Sequence, residues 1–286
     1  MGEYQMKHLF DLYGNVQEDL KFMVKSKIRL QIMLCLVDGP KTSKEIKNYH
    51  GLSFPAIFSN MKRLIEEDLV QKVDGTFMLS SFGRIKLYSI FNFYSAIKVS
   101  NNFPDLFLNH DIGGVPDFLM EEIGVFFDSN MVESSRADIY KIHNNFKILL
   151  KDSNEIFGVS PISHPDYMDI FQDLLRNDVK ACLVLTDDII KKTLNTVGFE
   201  NMRVLMENKN LKIRRYPGDL NIAFTVTNNF MSLGFFGDDG VYDQSKDLIS
   251  KKSAAIEWTK KLFDYYYQKS EEVEIDILVQ IMASQS

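Results

Sequence analysis

The chain has 286 residues, of which 45% are hydrophobic and 25% are charged, and its formal net charge is -6. This length can bury at least one full core and is more typical of two domains than of one. The acidic balance excludes a protein that coats nucleic acid over its whole surface, so any DNA contact must be local.

The first predicted elements are helices. Apolar residues recur at helical spacing over residues 15–37, and the Asp-Gly-Pro sequence at 38–40 ends this pattern, which predicts one or two helices. A short helix follows, with Thr42 or Ser43 as its N-cap and a turn through His50 and Gly51.

A longer helix and a hairpin come next. Ser53 is expected to cap this helix, Pro55 lies in its first turn, and its core-facing residues are Ile57, Met61, Leu64 and Ile65. Asp74 and Gly75 separate two short β-prone runs, which predicts a two-residue hairpin turn. This order of elements predicts a winged helix-turn-helix within residues 1–100.

Positive charge is concentrated in the same region. Residues 41–90 contain eight lysines and arginines and five acids, a net charge of +3 that leaves -9 for the rest of the chain. A solvated face would also produce such a local excess. A helix that contacts DNA needs hydrogen-bonding side chains for base edges and cations for phosphates. The predicted DNA-contacting residues are Thr42, Ser53, Phe54, Ala56, Ser59, Asn60, Lys62, Arg63, Lys72, Gly75 and Thr76.

These residues have different expected roles. Asn60 is suited to adenine, Arg63 to guanine or a phosphate, and Phe54 or Ala56 to a thymine methyl group. The hairpin, through Lys72, Gly75 and Thr76, would lie near the DNA backbone or the minor groove. The alternative is that the domain makes protein contacts instead of DNA contacts.

A further helix is predicted from Ser81 to about residue 99. Its large apolar residues occupy more than one face, so it needs a partner as well as its own core. The helix either packs two domains together or connects two copies in a homodimer, and the sequence leaves both open. Pro, Gly, Asn and Asp at residues 101–117 mark the start of a second domain, 101–286.

The second domain alternates strands and helices. We predict an α/β domain with a mixed sheet, because the early strands are separated by helices and the later ones by short turns. Trp258 is assigned to packing, and residues 271–282 form either a partner-binding segment or a last helix. The predicted strands cover 155–162, 180–186, 211–216, 221–227 and 230–236, and the helices 136–151, 165–176, 187–195, 198–208 and 253–270.

The compartment follows from the cysteines and the apolar runs. Cys35 and Cys182 each lie inside an apolar run, which predicts buried thiols in a reducing environment. The chain starts without a leader pattern, and its apolar runs are all shorter than the roughly 18 residues that span a bilayer. We therefore expect a cytoplasmic protein without membrane contact.

Four segments carry a family resemblance. They are LSFPAIFSNMKRLIEEDLV at 52–70, NHDIGGVPDFLMEEIG at 109–124, IYKIHNNFKILLKDSNEIFGVSPISHPDY at 139–167 and AAIEWTKKLFDYYYQKSEEV at 254–273. Together they resemble archaeal winged-helix transcription regulators related to the ArsR group that carry a C-terminal methanogenesis regulatory domain. The resemblance implies transcriptional control, a homodimer, and a ligand-sensing or interaction domain similar in fold to the phospholipase D type without its catalysis.

Two features depart from that family. Asp68 stands where many relatives have a glycine before the Leu-Val that enters the hairpin. Phe54 and Phe58 place aromatic side chains on a helix face that is usually polar. The first raises a question of backbone strain, and the second puts the base specificity in doubt.

Sequence motifs for catalysis, for cofactor binding and for metal binding are absent. A phospholipase D-type enzyme needs a His-x-Lys pair, in which histidine attacks phosphorus and lysine neutralises the phosphate. His164 is followed by Pro165 and Asp166, so it lacks this partner. We expect no enzyme activity, no cofactor and no metal.

A small-molecule pocket in the second domain is the remaining candidate. His110 and His164 flank acids near predicted strand ends, where α/β domains place ligand sites, whereas His8, His50 and His143 are assigned to turns and helices. The alternative is that the pocket candidates are ordinary loop residues. The candidates are His110, His164, Asp166, Tyr167, Arg215 and Tyr242.

The leading hypothesis is a homodimeric, sequence-specific regulator that binds double-stranded DNA and is controlled by a small effector in its second domain. The competing hypotheses are a degenerate or active phosphodiesterase fused to a winged helix, and a protein-interaction scaffold. Salt-dependent DNA binding separates the first from the scaffold.

Overall fold

The computed structural model describes residues 3–274 and residue 278, and the side chains of residues 10–49, 51–274 and 278. The chain folds into two compact units of mixed α and β structure, the first ending at Tyr94 and the second beginning at Ser95. No helix within the described residues is long and apolar enough to cross a bilayer. Most of the predicted partner-binding segment or last helix at 271–282 lies outside the described residues.

The first unit consists of helices followed by a two-stranded hairpin. The predicted helical stretch at 15–37 is two helices, because Ser26 caps the second one by accepting a hydrogen bond from the Arg29 amide at 3.3 Å. The elements are α1 (Glu3–Val24), α2 (Lys27–Cys35), α3 (Ser43–His50), α4 (Phe54–Glu66), β1 (Val70–Val73) and β2 (Thr76–Leu79), and α5 (Ser81–Asn102) starts here and runs into the second unit.

Side-chain caps fix where α3 and α4 begin. Thr42 and Glu45 form a capping box, in which the Thr42 hydroxyl accepts from the Glu45 amide at 3.3 Å and the Glu45 carboxylate accepts from the Thr42 amide at 2.7 Å. Ser53 accepts from the Ala56 amide at 3.4 Å, and Pro55 occupies the first turn of α4. The predicted caps are confirmed, with Thr42 rather than Ser43 at α3.

The hairpin turn is the predicted pair, Asp74 and Gly75. Their φ angles are 48° and 79°, and positive φ at both central residues is the geometry of the type I′ turn that suits a tight hairpin. Val73 pairs with Thr76 directly across it.

The core of the first unit lies beneath α4. Ile57, Met61 and Leu64 are fully buried there, in agreement with the helical spacing, and they pack with residues of α2, α3 and the hairpin. Ile65 is 37% exposed, so its predicted place in the core is wrong. It lies near the end of α4, at the margin of the buried face.

Asp68 lies in the left-handed region, with a φ of 57°. Its amide bonds to the Ile65 carbonyl at 3.0 Å and its own carbonyl accepts from the Ser80 hydroxyl at 2.6 Å, so the conformation is held from both sides. Glycine adopts this conformation without steric cost, whereas aspartate carries some strain. The departure noted at this position therefore corresponds to a real left-handed turn between α4 and β1.

The second unit is built on a mixed sheet with helices on both faces. Its elements are α6 (Pro104–Asn109), β3 (His110–Asp111), α7 (Asp117–Met120), a 3-10 turn (Ile123–Phe126), β4 (Asn130–Glu133), α8 (Lys141–Leu150), β5 (Glu155–Ser160), α9 (Tyr167–Arg176), β6 (Lys180–Thr186), α10 (Asp187–Val197), α11 (Phe199–Met206), β7 (Leu211–Tyr216), β8 (Ile222–Thr227), β9 (Met231–Gly237), β10 (Lys246–Ser250), α12 (Ser253–Gln268) and β11 (Glu271–Glu272).

Within the described residues the strand order is β11-β7-β6-β5-β8-β9-β10-β4, with β3 beside β9. Strands β5, β6 and β7 run parallel, whereas β8, β9, β10 and β4 continue the sheet antiparallel. The predicted mixed sheet and its five predicted strands are confirmed. Strands β3, β4, β10 and β11 are not predicted from the sequence, because two are only two residues long and the others carry polar residues.

Alternate residues of the central strands enter two cores. Val159, Phe224 and Leu233 point to the face covered by α12, whereas Ile156 and Ile213 point to the face covered by α8, α9, α10 and α11. Burial of both faces explains why β5 and β6 are almost continuously apolar.

Trp258 and the two cysteines have the predicted positions. The Trp258 ring is buried, contacts Phe126 edge-on at a centroid distance of 4.8 Å and donates its indole N–H to the Leu119 carbonyl at 2.9 Å. Cys35 and Cys182 are buried free thiols, and burial raises the pKa of each.

Gly83 is expected to be the least replaceable glycine of the first unit. A Cβ at this position would overlap the Leu69 carbonyl oxygen, whereas a Cβ at Gly14 in α1 would meet nothing within 4 Å. We expect Gly83→Ala to destabilise the hairpin and the start of α5 by about 2 kcal/mol or more, and Gly14→Ala to be neutral or stabilising by about 0.5–1 kcal/mol. Amide hydrogen exchange of β1 and β2 measures both, and equal protection in the two variants would contradict the packing.

Candidate functional site

The exposed face of α4 is the first candidate site. Pro55, Phe58, Ser59 and Lys62 follow one another at helical spacing and are exposed, opposite the buried stripe. Lys62 makes a long ion pair of 3.7 Å with Glu66, one turn further on. Arg63 is exposed beside this face. A solvent-facing row that ends in two cations is therefore available to an outside partner.

Two aromatic rings lie at the start of this face. Phe54 and Phe58 stack with a centroid distance of 6.2 Å and an interplanar angle of 23°. The Lys47 ammonium of α3 lies 4.7 Å from the Phe54 ring centroid, a cation–π contact that links α3 to α4. The pair is thus part of the surface and not of the core.

Asn60 has a different place from the one expected. Its amide nitrogen donates to the Ala56 carbonyl at 2.9 Å, and its amide oxygen lies 3.3 Å from the Ser26 hydroxyl at the start of α2. Both ends of the side chain are engaged inside the first unit. We therefore assign Asn60 to holding α4 against α2 and remove it from the residues expected to contact adenine.

The remaining predicted DNA contacts fall into two groups. The hydroxyls of Thr42 and Ser53 act as helix caps, and Thr76 donates to the Val73 carbonyl at 2.8 Å. Lys72 and Gly75 are exposed on the hairpin, and Ala56 is half-buried on α4. The first group shapes the local backbone, whereas the second is accessible to a partner.

The second unit brings together a polar cluster that we call the His-His-Asp cluster: His143, His164 and Asp166. The two imidazole rings stack at a centroid distance of 3.6 Å with a tilt of 22°. His143 Nε2 lies 3.0 Å from Asp166 Oδ2, and Lys147 Nζ lies 3.2 Å from the same oxygen. The ligand atoms of the three cluster residues all lie within 4.8 Å of one another.

Charge and burial set the protonation of this cluster. Hydrogen bonds from His143 and Lys147 lower the pKa of Asp166, so its carboxylate is ionised. Burial, and then the charge of His143, lower the pKa of His164. His143 therefore contacts the ionised carboxylate, whereas His164 favours the neutral form that can donate a lone pair.

A second set of polar groups, formed by Tyr167, Tyr242 and Asp247, is more deeply buried near the His-His-Asp cluster. Burial first, and then the charge of Asp247, raise the pKa of Tyr167 to about 12 and that of Tyr242 well above its usual value. Asp247 Oδ2 accepts from the Ser232 hydroxyl at 2.5 Å, whereas Oδ1 is buried and has no hydrogen-bond partner among the described residues. Burial raises the pKa of Asp247 to about 7.

The predicted pocket residues are only partly brought together. His164, Asp166 and Tyr167 are neighbours, and Tyr167 lies close enough to Tyr242 to contribute to its raised pKa, after burial and Asp247. A side chain at Gly234 would overlap the Tyr242 hydroxyl, so this glycine gives the phenol its place over β9.

His110 and Arg215 have other partners. His110 Nε2 lies 3.0 Å from Asp243, at an open depression of about 460 Å³. Arg215 forms a bidentate pair with Asp187 at 2.5 and 2.8 Å and a longer one with Glu271. We therefore separate both residues from the pocket that the sequence predicted.

Sequence reasoning missed four residues of this region: His143, Lys147, Ser232 and Asp247. His143 and Lys147 are four residues apart on α8, so they share a helix face, and this spacing was an available signal. Asp247 lies in the short strand β10, and its own polar side chain interrupts the apolar pattern that would have predicted a strand there. The approach of α8 to the loop before α9 depends on tertiary packing.

Two family models match the chain. The N-terminal domain of the methanogenesis regulatory protein FilR1 matches residues 17–98, and the middle domain of the same protein matches residues 139–269. The chain is therefore similar to FilR1 in both of these regions. FilR1 of Methanothrix harundinacea (strain 6Ac) is 25% identical over 268 residues, which cover 93% of this chain and 60% of that protein.

The chain thus spans 60% of the length of the curated FilR1 it matches. The predicted resemblance to methanogenesis regulators is confirmed for both domains, and the relation to the ArsR group stays a prediction.

The solved structures that resemble this chain have low TM-scores. TrmBL2, an archaeal chromatin protein, is 14% identical, covers 95% of this chain and 100% of its own, and has a TM-score of 0.41. NucT from Helicobacter pylori is 9% identical, covers 51% of this chain and 99% of its own, and has a TM-score of 0.39. No fold assignment follows at these scores.

Asp247 is expected to make the stability of the second unit pH-dependent. Its pKa is about 7 when folded and near 3.8 when exposed, so between pH 4 and 7 the unfolded chain loses a proton that the folded chain keeps. This group therefore lowers the free energy of unfolding as pH rises through that window, by at most about 1.4 kcal/mol per pH unit. Asp247→Asn should remove that component.

Urea unfolding followed by Trp258 fluorescence measures this dependence, because the single tryptophan lies in the core of the second unit. Asp219→Asn changes an exposed acid of the same unit and is the matched control. An identical pH slope in wild type and Asp247→Asn would contradict the burial of this carboxyl.

Proposed function

We propose that the chain is a homodimeric, sequence-specific transcription regulator whose first unit is a winged helix-turn-helix and whose second unit is a regulatory domain. The observation that carries the proposal is the exposed face of α4, which ends in Lys62 and Arg63 and lies in a segment of net positive charge. The relationship to FilR1, a protein named as a methanogenesis regulator, supports a regulatory role.

The order of elements supports a DNA-binding geometry. An α-helix fits the major groove, and α4 is capped by Ser53 and preceded by the short helix α3, as in a helix-turn-helix. The hairpin that follows carries the exposed Lys72 at the side where it would meet phosphates. In this geometry α4 contacts bases and β1 and β2 contact the backbone.

The structure changes the set of proposed base contacts. Ser59, Lys62 and Arg63 are exposed hydrogen-bond donors of α4, whereas Asn60 is engaged inside the unit. The stacked Phe54 and Phe58 rings are suited to apolar contacts with thymine methyl groups. We therefore propose a site in which apolar contacts and cations share the specificity.

Loss of the α4 cations should weaken DNA binding in a salt-dependent way. We expect Lys62→Ala and Arg63→Ala each to reduce the affinity for genomic fragments selected by the purified wild type, and to lower the slope of log affinity against log salt by about one where a phosphate contact is lost. Mobility-shift titrations at several salt concentrations give both quantities.

Lys251→Ala is the matched control, because it removes an exposed lysine from the second unit. If wild type and the α4 variants bind the selected fragments with equal affinity, α4 is not the DNA-contacting helix. If wild-type affinity is independent of salt, the protein-interaction scaffold is favoured instead.

Exposed apolar side chains on α1 and α5 support the homodimer. An apolar surface of this extent usually marks a protein interface. Lys86 and Asp19 form an ion pair of 2.8 Å that links the two helices, and we propose that exposed apolar residues of both contribute to the interface. These residues are Phe10, Leu12, Tyr13, Val16, Leu20 and Val24 of α1, and Phe82, Ile85, Tyr88 and Phe93 of α5.

A charge on this surface should separate the two copies. We expect Ile85→Glu to shift the protein from dimer to monomer in sedimentation analysis, because Ile85 is 65% exposed on α5. Val204→Glu is the control, since Val204 is 60% exposed on α11 of the second unit. A wild type that sediments as a monomer at micromolar concentration would contradict the dimer.

We propose that a small effector controls the second unit. We also propose that this unit has a non-catalytic fold of the phospholipase D type. Such catalysis needs a lysine free to neutralise a phosphate beside the nucleophilic histidine. Here the Lys147 ammonium is paired with Asp166. We propose a cytoplasmic location, in keeping with a DNA partner.

A further inference from the structure

We propose that the His-His-Asp cluster of the second unit binds a first-row transition-metal ion of the Zn²⁺ class. His143 on α8, and His164 and Asp166 in the loop between β5 and α9, supply two imidazole nitrogens and one carboxylate oxygen. This proposal names a ligand class for the proposed regulatory unit, but the binding itself requires no DNA.

The spacing of the ligand atoms fits such an ion. Zn²⁺ bonds of about 2.0–2.1 Å at tetrahedral angles place neighbouring ligand atoms about 3.3 Å apart. His143 Nε2 and Asp166 Oδ2 are 3.0 Å apart, and all three ligand atoms lie within 4.8 Å of one another. The two imidazole rings are stacked, so they must rotate about their side-chain bonds for both lone pairs to point at one ion, and a fourth position would then be left open.

In this structure the Lys147 ammonium is the cation beside the Asp166 carboxylate, where the metal ion would bind. Its ammonium lies 3.2 Å from Asp166 Oδ2, the oxygen that His143 also contacts. The Lys147 side chain is 40% exposed, so it can turn to solvent without leaving a buried charge. We infer that the ion and Lys147 compete for one carboxylate oxygen.

The donor set selects the class of ion. Imidazole nitrogens suit zinc, nickel, copper and iron, whereas magnesium and calcium prefer a shell of oxygens. His164 Nδ1 accepts a 3.2 Å hydrogen bond from the Asp166 amide, and the His164 ring stacks on His143. Tyr167 packs beside both rings, at centroid distances of 6.1 and 5.6 Å.

Binding at this site would join separate elements. His143 lies on α8 and the other two ligands precede α9, so the ion would fix the helix to the loop that leaves β5. A change in metal occupancy would then alter how firmly these elements are held, which is the kind of input that a regulatory unit requires.

The test uses the full chain after treatment with a chelator and dialysis. Competition with a chromophoric chelator measures Zn²⁺ affinity, and the visible absorption of Co²⁺ reports nitrogen and oxygen ligands. We expect one ion per chain, about 100-fold or more weaker binding in His143→Ala and His164→Ala, and no response to Mg²⁺. Binding should weaken at low pH, because protons compete for the imidazoles.

Two variants distinguish a metal site from an ordinary ion-pair cluster. Lys147→Met should bind Zn²⁺ about five-fold tighter, because it removes the competing ammonium. His110→Ala changes a histidine outside the cluster and should bind as the wild type does. Trp258 fluorescence confirms that each variant is folded.

Equal Zn²⁺ affinity in wild type, His143→Ala and His164→Ala would overturn the proposal. A Lys147→Met variant with unchanged or weaker affinity would do so too, because the ion and the ammonium could not then share an oxygen. Each result is obtained without DNA, so it is separate from the outcome of the mobility-shift experiments.

Discussion

Burial of both faces of the central sheet is the constraint on which the second unit depends. Strand β5 pairs parallel with β6 on one side and antiparallel with β8 on the other, so it joins the two halves of the sheet. Because helices cover both faces, any polar group that enters the sheet must find a partner or change its protonation. Asp247 on β10 shows this cost directly, since one of its oxygens has no hydrogen-bond partner in the part of the chain that the structure describes.

The two units obtain their candidate surfaces by different means. In the first unit, local caps at Thr42 and Ser53 and a two-residue turn fix α3, α4 and the hairpin, and the exposed face of α4 follows from helical periodicity alone. In the second unit, the His-His-Asp cluster exists only because α8 packs beside the loop before α9. Its residues are up to 23 positions apart in the sequence.

This difference explains what the sequence could predict. Caps, the Asp74-Gly75 turn and long apolar strands such as β6 depend on neighbouring residues, and their positions were predicted well. The partners of Asn60, Arg215 and His143 depend on which surfaces meet after folding, and periodicity carries no information about them. Short strands such as β3 exist only through pairing with β9, so composition could not indicate them.

The close approach at Gly83 has a mechanical consequence. The Ser80 hydroxyl bonds to the Asp68 carbonyl and accepts from the Gly83 amide, while the Ser80 amide bonds to Leu69. The first turn of α5 is therefore fastened to the base of the hairpin with no side chain between them. A tilt at the start of α5 would therefore carry β1 and β2 with it, so the hairpin and the first turn of the helix move as one body.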